Sequence, residues 1–179
     1  MNGRKDIQRQ QELDVMTLFV QWLGQQEQVT YTLVERPDPP DGIYTTPSRT
    51  IWLEVVGIYR SGDEAHEDWS LVTPSEKRFQ HPEHPIMSPD ERTADALVTV
   101  LVKKISSKSY RSAFEKYGRG ILICCERDPL LGKSTLEEIH SRLQDEVKNF
   151  DEVDKGFFKD AYLYDRVRGF LKLLYFTPD

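Results

Sequence analysis

Thr50-Ile51-Trp52-Leu53-Glu54-Val55-Val56-Gly57-Ile58-Tyr59 is the stretch on which the fold turns. It is so rich in β-branched and aromatic residues that it reads as a central strand. With a period of two, Trp52, Glu54, Val56 and Ile58 share one face. A carboxylate in the middle of such a face must be paired, protonated or bound to a metal, because a bare one is too costly in an apolar interior. Upstream, Val29 to Val34 alternates as a strand, Arg36-Pro37-Asp38-Pro39-Pro40-Asp41-Gly42 forms a turn, and Ile43 to Thr46 is a short extended piece. Earlier still, Met16, Phe19, Val20 and Leu23 recur at helical spacing, which predicts a helix from Asp6 to Leu23 stopped by Gly24.

Downstream, Ser61 to Met87 is polar, contains Pro74, Pro82 and Pro85, and reads as a long irregular excursion more mobile than the core. Ser88-Pro89-Asp90-Glu91 is a capping box that opens a long helix, broken near Ser106-Ser107 and running to Tyr117, with Gly118 and Gly120 ending it. Gly120 to Cys125 is a buried strand. A second capping box, Ser134-Thr135-Leu136-Glu137, begins a helix with the stripe Leu136, Ile139, Leu143 and Val147. Tyr162-Leu163-Tyr164 and Phe170 to Phe176 are two closing strands. The order α, β, β, β, α, β, then α, β, β, predicts an α/β fold: a mixed sheet with helices on both faces.

Length and composition agree with one domain. The 179 residues are 38% hydrophobic and 30% charged, which places the chain with globular rather than disordered proteins. The longest apolar run, Ile121 to Cys125, is far too short to cross a membrane. No secretory signal opens the sequence, so a cytoplasmic location is expected. Cys124 and Cys125 are neighbours that point to opposite faces of a strand, which fits a reducing compartment. Net charge is −6, yet Lys103 to Arg119 carries a local excess of +5 and Ser61 to Arg92 a local −5.

Besides Glu54, three polar residues fall on apolar stripes. Glu12 steps with Met16, Phe19 and Leu23, while Lys104 and Lys108 step with Leu97 and Leu101. Each has an ordinary reading as a side chain snorkelling from a core margin, and Glu54 with a lysine has one as a structural ion pair. Asp41, at the start of the short strand hairpinned onto that of Glu54, brings a second carboxylate to the same place.

A Pro-Asp before one strand, an acid on the next strand thirteen residues later, an acid on the leading helix, and the αβββαβ order resemble the PD-(D/E)XK, or restriction-endonuclease-like, nuclease superfamily. The likeness covers about Glu12 to Cys125, within a core of about residues 6–126; residues 127–179 would decorate the same single domain. The resemblance implies Mg²⁺ or Mn²⁺ held by Asp41, Glu54 and the Val55 carbonyl, with a lysine orienting the attacking water. That lysine belongs two positions after the second acid, where this chain has Val56. Some members supply it from the following helix, which here offers Lys108, the preferred candidate beside the helix break, and Lys104. Glu12 would be the helix acid.

The residue types suit phosphodiester hydrolysis: a hard cation takes carboxylate oxygens, offsets developing charge and acidifies water. Lys103, Arg111, Lys116 and Arg119 form a basic ridge able to track a nucleic-acid backbone, DNA in preference to RNA, with Tyr110 and Tyr117 as stacking surfaces. A solvated helix face is the plainer account of the same charges. Gly132-Lys133-Ser134 lacks the first glycine of a phosphate loop, and His66, His81 and His84 lack zinc-ligand spacing. The expected function is therefore a metal-dependent nuclease. The alternative is a catalytically silent scaffold of the same fold that binds a protein, and either form leaves room for a homodimer.

Overall fold

The computed structural model describes residues 3–58, 89–126, 136–139, 141–143, 157–165 and 168–175. Helix α1 spans Gly3–Glu27. It is followed by β1 (Thr32–Glu35), β2 (Gly42–Thr45) and β3 (Thr50–Ile58). Helix α2 covers Pro89–Ile105, a 3-10 turn Lys108–Tyr110, and α3 Arg111–Tyr117. Then come β4 (Gly120–Glu126), β5 (Phe158–Asp165) and β6 (Gly169–Tyr175). Residues 136–139 and 141–143 are helical and carry Ile139 and Leu143 into the core, as their stripe predicts. The excursion from Ser61 to Met87, the phosphate-loop lookalike, Val147 and the three histidines fall outside the described residues.

The six strands stand in sequence order across one sheet. β1–β2, β2–β3 and β5–β6 are antiparallel, whereas β3–β4 and β4–β5 are parallel. Parallel pairing buries both faces of the centre, which is why β4 is apolar from Gly120 to Cys125 rather than alternating, with a charged residue only at its end, Glu126. Against one face, Met16, Phe19, Val20 and Leu23 of α1 meet Ile51, Leu53, Ile121 and Ile123. Against the other, Leu97, Leu101 and Ile105 of α2 meet Trp52, Ile58, Leu122 and Cys124. Cys124 is buried in the α2-side core and Cys125 packs against the α1-side core, so the two lie on opposite faces of the sheet.

Helix α1 runs past Gly24, and Gln28, with φ +57°, terminates it. Gly24 has a different task. Its carbonyl accepts the Val29 amide at 3.0 Å. A Cβ there would lie 2.5 Å from the Val29 carbonyl oxygen, so the missing side chain lets the chain fold back closely.

Gly120 meets a similar demand from Trp52, whose indole N–H donates to the Gly118 carbonyl at 2.8 Å. A Cβ on Gly120 would sit 2.3 Å from the indole ring. Overpacking of this kind costs about 1–3 kcal/mol, and Trp52, fully buried, has nowhere to retreat. Gly120→Ala is therefore expected to lose about 3 kcal/mol, lowering Tm by about 6–12 °C; a urea melt within 0.5 kcal/mol of wild type would contradict this packing, a margin of about the size seen for neutral surface changes.

Candidate functional site

Register brings the two carboxylates together. Gly42 pairs with Leu53 and Ile43 with Trp52, so one step further along the antiparallel ladder Asp41 faces Glu54. Directly opposed residues of an antiparallel pair project to one face. Asp41 precedes the first paired residue of β2, and its side chain takes the place of the ended strand: Oδ2 accepts the Val55 amide at 2.7 Å. Arg36 holds the turn, its Nε donating to the Asp41 carbonyl at 3.1 Å while its guanidinium lies 3.5 Å from Glu12.

Glu54 is 4% exposed. Its Oε1 accepts two donors from the crossover, Lys104 Nζ at 2.5 Å and the Tyr110 hydroxyl at 2.9 Å. Its Oε2 is buried and has no hydrogen-bond partner among the described residues. A carboxylate oxygen left bare inside a protein is costly. Glu54 is one of the residues lining a cleft of about 240 Å³, whose walls also include Glu12, Asp38, Asp41 and Lys104. Burial first, and then the Glu54 carboxylate, push Asp41 up to about 7. Burial likewise raises Glu12 despite its bond from Gln8. Burial and Glu54 push the Tyr110 phenol upward, so it remains a proton donor to that carboxylate.

Searches of protein-family models, curated proteins and solved structures find no match to this chain. Its chemistry therefore has to be read from the residues themselves.

Four of the expected site residues, Glu12, Asp41, Glu54 and Lys104, and the Val55 backbone meet at this cleft. Lys108 does not. Stepping from Lys104 to Lys108 presumes an unbroken helix, but α2 ends at Ile105 and Lys108 starts the 3-10 turn as an exposed residue. Tyr110 is not a stacking surface either: the same turn rotates it inward, to 2% exposure, against Trp52 and Phe158. Lys103, Arg111 and Lys116 are exposed and Arg119 is half-buried, and none of them lines the cleft. Lys116 lies 4.0 Å from Glu35, and Tyr117 donates to the same Glu35 carboxylate.

Besides Lys104, three basic residues that the sequence reading missed line the cleft: Lys5, Arg9 and Arg36. Their signal was present in part: Lys5, Arg9, Glu12 and Met16 step by four, three and four along one helix face.

Among the described residues, no group of three or more His, Cys, Asp and Glu side chains is arranged to hold a metal ion. A hard cation that retains several waters needs only one or two protein carboxylates. Asp41, Glu54 and the unpartnered Oε2 fit that smaller requirement.

Proposed function

We propose that this chain is a Mg²⁺- or Mn²⁺-dependent nuclease of the PD-(D/E)XK kind, hydrolysing phosphodiester bonds in nucleic acid, DNA in preference to RNA. The observation that carries the reading is Glu54: one oxygen is bound by a lysine and a tyrosine, the other is buried without a hydrogen-bond partner among the described residues, and the residue lines a cleft together with a second carboxylate. The antiparallel β1–β3 meander followed by a helical crossover into parallel β4 supports it.

In this reading Asp41 and Glu54 hold the cation, with the Val55 carbonyl beside them. When bound, the cation supplies positive charge for the phosphate and acidity for a water. Lys104, 29% exposed at its side chain, is anchored by Glu54 and orients the attacking water from the helix, in place of the absent lysine at Val56. Tyr110 fixes the carboxylate from behind. Arg36 holds Glu12 and the Asp41 turn in register.

Lys104→Met is expected to lower cleavage at least a hundredfold, within the usual range for a proton-handling or charge-stabilising group. Lys108→Ala should cut at the wild-type rate. A Lys104→Met enzyme as active as wild type would remove the lysine from the mechanism.

The Lys104–Glu54 pair also favours a second reading, in which these residues form a structural ion pair in a silent scaffold that binds a protein. A wild type that binds no Mn²⁺ and cuts neither DNA nor RNA would select it.

A further inference from the structure

Four cations line the cleft, Lys5, Arg9, Arg36 and Lys104, facing the four acids Glu12, Asp38, Asp41 and Glu54. Two of the cations are committed, Arg36 to Glu12 and Lys104 to Glu54. Lys5 and Arg9 are different. Both are exposed, neither has an ion pair among the described residues, and they lie four residues apart on the α1 face that carries Glu12. Residues four apart on a helix stand one above the other, about one turn or 5.4 Å along the axis. They therefore form a short cationic track along the cleft that Asp41 and Glu54 also line.

We infer that Lys5 and Arg9 form a subsite for the phosphate backbone of a nucleic-acid strand, so that the strand enters the cleft over the first turns of α1 and not over the ridge of Lys103, Arg111 and Lys116. The inference rests on the nuclease reading for its ligand. Geometry separates the two routes. The ridge residues lie outside the cleft, and Lys116 is 68% exposed and already near Glu35. Of the two sets, the α1 cations line the cleft with Asp41 and Glu54, and the ridge residues do not. A bound divalent ion would leave the balanced cleft with net positive charge, and an anionic strand is the ligand that such a field selects. Backbone contacts of this kind position the strand without reading its sequence.

The test uses the full chain, fluorescently labelled single-stranded and duplex DNA of one sequence, and Ca²⁺ as the divalent ion. The Lys5→Glu/Arg9→Glu double variant is compared with Lys103→Glu/Arg111→Glu/Lys116→Glu. The α1 variant is expected to bind at least about tenfold more weakly and to lose about two units from the slope of log affinity against log salt. Its Mn²⁺ affinity should not fall below that of wild type, since neither cation is a ligand and the new carboxylates add negative charge to the cleft. The ridge variant should keep wild-type DNA affinity within about threefold, because none of its three residues lines the cleft and exposed charges are weakened by salt.

Unchanged binding by the α1 variant, or loss confined to the ridge variant, overturns the inference while leaving the nuclease reading intact. Polyglutamate competing as well as the oligonucleotide overturns the assignment to a phosphate backbone. A wild type that binds DNA through α1 yet cuts neither DNA nor RNA with any divalent ion supports the subsite and sinks the nuclease reading. A wild type that binds no DNA overturns the subsite whatever the metal assay reads.

Discussion

Glu54→Gln is expected to abolish Mn²⁺ binding and cleavage while leaving the metal-free protein folded. The amide keeps an oxygen for Tyr110 and Lys104, which now donate to Glu54 Oε1. It removes the charge that a cation requires. Loss of a partner that merely supports a metal ligand costs about 10–100-fold in affinity, so loss of a ligand should exceed a hundredfold by calorimetry. Some stability should be lost, about 1–3 kcal/mol, because the Lys104 ammonium keeps its charge without its carboxylate; its partly exposed side chain lets water take up the rest. Glu54→Ala is the harsher change: it also orphans the buried Tyr110 hydroxyl, at about 1–3 kcal/mol. Wild-type Mn²⁺ affinity in the glutamine variant would remove Glu54 from the site.

Asp41→Asn should make the metal-free protein more stable at pH 8 and no more stable at pH 4. Burial and the neighbouring Glu54 carboxylate raise Asp41 from its ordinary 3.8 to about 7. Between those values the folded protein retains a proton that the unfolded chain has released. Stability from this group is therefore complete below about pH 4 and is lost as pH rises through about 7. Each unit of difference is worth about 1.4 kcal/mol. Asp41 is partly exposed, so a net effect of about 2 kcal/mol is the reasonable expectation. Asparagine still offers an oxygen to the Val55 amide and has nothing to ionise. In EDTA its Tm should exceed that of wild type by about 4–8 °C at pH 8. Parallel Tm curves for the two proteins from pH 4 to pH 8 would contradict a perturbed Asp41.

What could be read from sequence was whatever a period records. β3 declared itself through its β-branched run, and Glu54 by interrupting that run; the hairpin then placed Asp41 opposite it, with pairing confirmed from Gly42–Leu53 onward. The face of α2 was legible through Lys104 for the same reason. Reading failed where periodicity stops. Ser106-Ser107 was recognised as a break, but how the chain resumes after it is a matter of tertiary packing, and that packing turns Tyr110 inward and leaves Lys108 outside. Gly24 read as a stop because glycine favours helix ends, yet close approach of the Val29 carbonyl explains it here. Lys5 lay before the expected start of α1, so its alignment with Arg9 and Glu12 was hidden by a boundary three residues too late. Cations on a soluble helix face carry no mark of what lies opposite them.

The parallel pairing of β3 with β4 also sets the order in which the protein comes into being. Leu53 meets Ile121, 68 residues later in the chain. At about 5–20 residues per second, a ribosome needs several seconds to deliver that partner, whereas a hairpin such as β2–β3 closes in about 1–10 μs. The newborn chain can thus bring Asp41 alongside Glu54 well before Lys104 and Tyr110 have been synthesised. During that wait the central strand has an open edge bearing Ile51, Trp52 and Leu53, which invites pairing with other nascent chains. A long sequence separation between neighbouring strands slows folding as well. Yield in a cell should depend on chaperone capacity during synthesis more than on the equilibrium stability of the finished sheet.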